Sequence, residues 1–374
     1  MLTGLPNHPT GVVPPEYRGR ARFDERMGAV RVLRTWLYAT PNEGIAKKTL
    51  GHLSFMVTSV VLGMGRTGPV DVVVVSSPTF FSILSAWMIA KRRRARFVLE
   101  VRDLWPAIFV ELGVLRNRAV IWLLERLELA AYRAADAVVV VTAGFKDDLV
   151  RRGIAPGKIT VITNGVDAER FDLGGARPGE PRMSMGADED DVLVLYIGAH
   201  GISHALETLL EAAATLRGLP MRVALVGEGA AKPDLLRRRD ALGLDNTVML
   251  DGVPPDDVPA WVAAADICVV TLRDIPLFET FIPSKLFELF AAGKPVVAAV
   301  AGEPAAIAAA AGAVVVAPED PGALASVLRE LALDTARRRA MGEEAAAFVR
   351  AHYDRGQLAE AYLGVLEGAV GGAP

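Results

Sequence analysis

Short runs of β-branched residues alternate with longer segments of helical period along almost the whole chain, which is the rhythm of α/β units with parallel strands. The spacing predicts strands at 30–37, 70–76, 96–100, 137–142 and 158–163, with helices filling the gaps. The pattern restarts at 192–197 and continues at 222–226, 247–250, 267–272, 295–300 and 313–316. These runs are nearly all apolar, as strands become when helices cover both faces of a parallel sheet. Two such sets in 374 residues predict an α/β chain of two doubly wound, Rossmann-like domains, each of ordinary size. Residues 1–170 form the first domain and 191–350 the second. Residues 171–190, rich in Gly, Pro and acidic side chains without an apolar period, form the linker. The last helices have no strand after them, and residues 351–374 are expected to cross back to the first domain.

The start breaks the rhythm. Met1-Leu-Thr-Gly reads like the end of a strand followed by a loop, whereas a doubly wound sheet keeps its first strand in the middle. A domain entered at its second strand is expected to carry a central gap, where a strand, a glycine-rich loop and a helix belong.

Composition narrows the class further. Hydrophobic residues make up 52% of the chain and charged residues 23%, which excludes disorder. The single cysteine, Cys268, lies in the apolar run Asp266-Ile-Cys-Val-Val-Thr-Leu and reads as a small buried hydrophobe. One cysteine excludes an intrachain disulfide and a cysteine-built zinc site, so a reducing cytoplasm is the expected compartment. The opening residues lack the basic segment and apolar core of a signal peptide. The longest apolar stretches, 53–64 and 79–90, fall short of the roughly 20 residues that span a bilayer. The net charge of -3 conceals an asymmetry, because residues 1–170 carry 24 Lys and Arg against 15 Asp and Glu. The basic excess is densest at Lys91-Arg-Arg-Arg94 and Arg96, directly after an apolar stretch. It is a solvated helix end or a patch that rests on anionic lipid headgroups. The run has no interleaved aromatics, so nucleic acid is not an expected partner.

Three segments carry chemistry. Gly198-Ala-His-Gly201 follows the first strand of the second domain and precedes a helix expected from about Ala205. It is a tight turn, or a place where backbone N–H groups and a helix dipole meet a diphosphate. Gly227-Glu-Gly229, with Glu228 at its centre, ends the next strand at the same edge of the sheet, where ligands of open α/β sheets collect. In the third segment, 277–297, Pro283 and Ser284 suit a helix start, with Ser284 able to cap, and Gly293 suits its end. Lys285 then lies in the first turn, which the helix dipole disfavours for a cation, so its position calls for an anion. Glu288 follows on the same helical face, where a carboxylate can accept both hydroxyls of a ribose. The plainer alternative is an exposed Lys–Glu helix pair.

The segment 277–297 resembles the donor-site segment of GT-B glycosyltransferases of family 4, especially the subgroup similar to WbuB, which makes bacterial surface polysaccharides. Further stretches carry the same resemblance: Leu2-Thr-Gly-Leu-Pro-Asn-His-Pro-Thr-Gly11, Val101-Arg-Asp-Leu-Trp-Pro106, Ile162-Thr-Asn-Gly-Val-Asp167 and His204-Ala-Leu-Glu-Thr-Leu-Leu-Glu211. It implies a GT-B fold and a donor segment in which Thr280, Ile282, Ser284, Lys285, Leu286 and Glu288 line the nucleotide-sugar. The family's donor motif has two glutamates; the second matches Glu288, while the first falls on Thr280, with Glu279 one place earlier. The cations that relatives place after the first strand of the second domain correspond to positions near Ala199 and His204. Lys285, helped by Arg273 or His204, is therefore the expected partner of the leaving diphosphate. Relatives carry a His-Asp pair in the first domain facing the transferred sugar; here Arg102-Asp103 stands there, so Asp103 carries over and the histidine does not. A helix cap near Trp105 is the alternative role for Asp103.

The expected reaction is transfer of a sugar from a nucleotide-diphosphate-sugar to a saccharide or polyprenyl-diphosphate-linked acceptor, with retention of configuration as the resemblance implies. No metal and no cofactor are expected, since the five histidines are scattered and no carboxylate pair has metal-ligand spacing. Two alternatives remain open: a sugar-nucleotide 2-epimerase of the same fold, and an inactive nucleotide-sugar-binding protein.

Overall fold

The computed structural model describes residues 1–7, 11–40, 44–77, 80–172, 174 and 179–372. His8, Pro9 and Thr10 of the segment 2–11, and part of the expected linker, lie outside the described residues. The chain divides into two units, one of residues 1–141, 145–162 and 362–374, the other of residues 142–144 and 163–361.

All eleven expected strands form, with ends within two residues of the expected ones. In the second unit, β8 (Val192–Ile197), β9 (Met221–Val226), β10 (Thr247–Leu250), β11 (Ile267–Thr271), β12 (Val296–Ala299) and β13 (Val314–Val316) pair in the order β10-β9-β8-β11-β12-β13. Every pairing is parallel. Strand order reverses between β8 and β11, which makes the crevice at their carboxyl ends the topological switch point where doubly wound sheets bind ligands. The sheet is sealed on both faces: Val194, Leu195, Val223, Val269 and Val297 have no exposed surface. Leu209, Leu210, Leu324 and Leu328 pack against it from the flanking helices. These helices start and stop on local signals. Asp320 accepts from Ala323 N at 2.8 Å and Asp334 from Arg337 N at 2.8 Å, each capping the helix that follows.

The expected linker is partly ordered structure. A helix, Gly179–Ser184, buries Arg182 at the foot of the sheet, where it pairs with Asp266 at 2.9 Å and donates to Ala264 O at 3.1 Å. Asp266 in turn accepts from Leu193 N at 3.0 Å. The segment lacks an apolar period because one arginine, satisfied by carbonyls and a carboxylate, anchors it instead.

The first unit holds two sheets instead of one. β1 (Leu2–Gly4), β2 (Arg22–Met27) and β3 (Val30–Thr35) pair in the order β1-β3-β2, and β4 (Val72–Ser76), β5 (Arg96–Val101), β6 (Ala137–Val140) and β7 (Ile159–Val161) in the order β4-β5-β6-β7. β2 had no counterpart in the expected pattern. It is antiparallel to β3, closed by Gly28 at φ +58°, and charged at four of its six positions. Its cross-strand ion pairs, Arg31 with Asp24 and Arg34 with Glu25, suit an edge strand that solvent faces.

Between the two sheets, β1 and β4 each keep one edge without a strand partner among the described residues. A cavity of about 320 Å³ separates them, lined by Met1, Leu2 and Leu33 on one side and Val72–Val75 on the other. A second, of about 830 Å³, adjoins the ends of the same two strands. From this split β4, β5, β6 and β7 follow in chain order on one side, and β1, β3 and β2 lie on the other, so it occupies the position of the first unit's own switch point.

Candidate functional site

Three loops and one helix meet at the carboxyl ends of β8, β9 and β11. The loop after β8 carries Gly198 at φ +135° and the loop after β9 carries Gly227 at φ +152°, conformations that L side chains rarely adopt. Space demands glycine here as well. A Cβ on Gly198 would come within 2.6 Å of Lys285 Nζ, and one on Gly227 would strike the carbonyl of Gly198. Gly201, by contrast, has φ -89° and opens a short 3-10 turn, Ile202–His204. The helix expected from about Ala205 begins at Glu207, because Ala205 takes a left-handed conformation, φ +45°.

Tyr196, the penultimate residue of β8, is the centre of the site. Its hydroxyl donates to Ala199 O at 2.7 Å and closes the glycine loop. Its ring lies under the ammonium of Lys285, 3.8 Å from Nζ to the centroid. The rings of His200 and His204 stand 6.0 and 6.1 Å from it. Lys285 is the first residue of the helix Lys285–Ala291, which Gly293 ends at φ +65°. Ser284 occupies the N-cap position but makes no capping bond, because its own backbone is already helical. The expectation of a serine cap is thus corrected.

Five buried side-chain nitrogen or oxygen atoms lack a hydrogen-bond partner among the described residues, and four of them are Lys285 Nζ, His204 Nδ1 and both ring nitrogens of His200. An unpaired buried polar group costs about 1–3 kcal/mol, more if charged, so such a concentration is the signature of a ligand site. Burial pulls the Lys285 ammonium down to about 7, with Glu288 opposing. Burial and then Lys232 and Lys285 pull His200 to about 4; burial and then Lys285 pull His204 to about 3. Both imidazoles are therefore neutral at pH 7, and each offers one donor and one acceptor.

The expected helper cations do not serve. Arg273, just after β11, is held by Glu207 at 2.5 Å, Glu319 at 3.1 Å and the carbonyl of Ile202 at 3.0 Å. Two carboxylates neutralise it. His204 fails for a different reason, since burial leaves it uncharged. Lys232, which the sequence did not single out, is likewise held by Glu228 at 2.8 Å and Asp251 at 2.6 Å. Glu228 thus belongs to this half-buried ion pair, with its backbone carbonyl accepting from His200 N at 2.8 Å. Among the described residues, Lys285 is left as the cation of the site without a hydrogen-bonding partner. Glu288 stands one turn further along its helix, half-buried, its carboxyl raised by burial and restrained by Arg170, Lys285 and Arg355. Ile282 and Leu286 are core residues, 5% and 1% exposed, so only their backbone can meet a ligand. Thr280 spends its hydroxyl on Leu277 O at 2.9 Å, and Glu279 is exposed.

Asp103 lies in the first unit, two residues beyond β5. It does not cap the following helix, Ala107–Glu111, whose N-cap is Pro106. Its carboxyl is raised by burial, with Arg102 opposing. His200 and Tyr196 are the residues that sequence reasoning missed. His200 sat in full view inside the glycine loop, and Tyr196 looked like one more strand residue.

Comparison with known proteins decides the family. The Glycosyl transferase 4-like domain family matches residues 8–165, and the Glycosyl transferases group 1 family matches residues 191–334. The chain is a GT-B glycosyltransferase of family 4. A relative in Escherichia coli (strain K12), the glycosyl transferase WcaI, whose name assigns it to colanic acid biosynthesis, is 26% identical over 292 residues. That alignment covers 76% of this chain and 71% of WcaI. Two solved structures share the fold of this glycosyltransferase. Sucrose-phosphate synthase from Thermosynechococcus elongatus superposes with a TM-score of 0.72 at 19% identity, over 94% of this chain and 86% of that one. Anabaena HepE, solved in complex with UDP and glucose, gives 0.70 at 18% identity, over 90% and 86%.

Proposed function

We propose that this glycosyltransferase takes its sugar from a nucleotide-diphosphate-sugar held at the carboxyl ends of β8, β9 and β11. The observation that carries the reading is the buried Lys285 ammonium, without a hydrogen-bonding partner on the ring of Tyr196 among neutral imidazoles. A desolvated cation is costly alone and well used when an anion joins it. In this reading the diphosphate lies between Lys285 and the loop Gly198–Gly201, with neutral His200 and His204 as hydrogen-bond donors. Glu288 accepts the ribose hydroxyls. The charge that develops on the leaving diphosphate is met by Lys285 without a metal. The sugar is passed on with retention of configuration, and Asp103 is the first unit's residue that the family resemblance assigns to the transfer. The acceptor is a saccharide or a polyprenyl-diphosphate-linked saccharide, in the synthesis of cell-surface polysaccharide as in the subgroup similar to WbuB. HepE, solved with UDP and glucose, and WcaI, by its name, support the donor and the pathway class respectively.

Calorimetric titration with nucleotide-diphosphate-sugars of different bases tests the donor site. Lys285→Ala should weaken binding about 10- to 100-fold, the range of a lost charge-assisted hydrogen bond, and Glu288→Ala about 10-fold. Circular dichroism of both variants should match the parent. Undiminished affinity in both variants overturns the assignment. The anomeric configuration of the product, read by NMR, tests retention.

A further inference from the structure

The helix Arg118–Ala134 is oriented against the usual rule. It buries a carboxylate, Glu128, and Tyr132 while leaving Val120, Trp122, Leu123 and Leu127 41%, 58%, 50% and 46% exposed. Glu128 is satisfied inside by Tyr132 Oη at 2.6 Å and by Arg152, so the inward face is settled and the apolar outward face is not a packing error. The neighbouring helix Phe80–Arg93 does the same with Leu84 and Met88, 48% and 40% exposed. A groove of about 440 Å³ lies at these helices, and all twelve residues that line it are apolar, among them Leu53, Met56, Leu84, Trp87, Leu127 and Ala134. A contiguous apolar surface of this kind marks an interaction site.

Its surroundings identify the partner. The helices precede β5 and β6, neighbouring parallel strands, so their C termini share one edge of the unit. There stand Lys91, Arg92, Arg94 and Arg133, all exposed. The longer helix adds Arg116 and Arg118 at its start and Arg126, whose guanidinium covers the Trp122 ring at 4.9 Å. Against these seven cations stand four exposed carboxylates, Glu111 and Glu125 on the longer helix and its approach, and Asp71 and Asp136 at the shared edge, where Asp136 pairs with Arg96 at 3.2 Å. Apolar side chains ringed by arginine and lysine complement a surface that is negative outside and apolar beneath.

We infer that this face docks on an anionic lipid bilayer, with Leu123, Leu127 and Trp122 entering the headgroup–acyl boundary and the basic edge lying on lipid phosphates. The docking face belongs to the first unit and does not depend on the donor-site assignment. Either can fail without the other.

Vesicle flotation tests it with phosphatidylcholine alone and with phosphatidylglycerol added. The full chain should partition at least about tenfold more strongly onto the anionic vesicles, and about 1 M salt should abolish the difference. Leu123→Glu/Leu127→Glu should lower partition about a hundredfold, with an unchanged melting temperature and unchanged calorimetric binding of nucleotide-sugar. Lys91→Glu/Arg92→Glu should lose the preference for anionic lipid. Trp122 emission should shift to the blue on anionic vesicles, a change that Trp122→Phe removes. Equal partition onto both vesicle types, or flotation of Leu123→Glu/Leu127→Glu like the parent, overturns the proposal. So does a dimer, seen by light scattering and broken by that double variant, that does not float, for then a second copy covers the face.

Discussion

The two units are written in the same kind of sequence, yet only one of them closes its sheet. Val194 in β8 has no exposed surface, while Val74 in β4, from an equally β-branched run, is 42% exposed. The difference lies in the neighbours. β8 has a strand on each side, whereas β4 has β5 on one side and a cavity on the other. A valine run suits a buried parallel strand but does not bury itself; both edges and both faces must be supplied. The contrast extends to the switch points. In the second unit, six continuous strands hold Gly198, Gly227 and Lys285 in a fixed constellation. In the first, the reversal of strand order coincides with the split.

The sharpest way to break this comparison is a matched pair of substitutions. Val194→Asp places an unpaired carboxylate in a sealed sheet and should cost at least about 4 kcal/mol, enough to unfold the second unit. Val74→Asp should cost about 1 kcal/mol or less, because the new carboxylate reaches water. Urea denaturation measures both. An equal loss in the two variants would show that β4 is covered after all. The next largest effect concerns buried arginines. Arg182→Ala takes the guanidinium away from Asp266, 3% exposed at its side chain, and from three carbonyls, and should cost about 3–5 kcal/mol. Arg152→Ala in the first unit should cost about half as much. Arg152 is 24% exposed, and its partner Glu128 keeps the Tyr132 hydroxyl. A larger loss from Arg152→Ala would reverse the ranking of the two units.

These contrasts also explain what was legible in the sequence. Strands showed themselves because apolar β-branched runs are local signals. β2 did not, since Arg22, Asp24, Glu25 and Arg26 belong to an edge that solvent faces, and its partner is found only across a turn. The helix Gly179–Ser184 was hidden because its anchor, Arg182, is satisfied by Asp266, 84 residues away. At the site, Lys285 and Glu288 stood out through their spacing on one helix. The fate of the other cations did not, because charge is decided by distant partners. Glu319 neutralises Arg273 across 46 residues, and packing, which no spacing records, discharges His200 and His204.

Lys285 has an ammonium held near 7 in the folded chain, against about 10.4 unfolded. The unfolded chain therefore binds the extra proton between about pH 7 and 10, so the lysine's contribution to stability rises with pH across that window. Donor binding should run the other way. A diphosphate prefers the protonated ammonium, so affinity should be flat below about pH 7 and fall by up to about tenfold per unit above it. Calorimetry of the parent and of Lys285→Met across this range separates the two slopes. Both should vanish in the variant, and a parent affinity independent of pH would show that Lys285 does not meet the anion.

The smallest effect divides the two services of Tyr196. Tyr196→Phe removes the hydroxyl that holds Ala199 O but keeps the ring under Lys285, so it should cost about 1 kcal/mol of stability and leave the pH at which affinity begins to fall unchanged. Tyr196→Leu also removes the aromatic face, which favours the charged form of the lysine. Its break in affinity should therefore move to lower pH, while the unliganded protein loses stability below about pH 7, where the ammonium is charged and no longer has the ring beneath it. If Tyr196→Leu and Tyr196→Phe share one pH profile, the ring does not tune the ammonium, and the low proton affinity of Lys285 comes from burial alone.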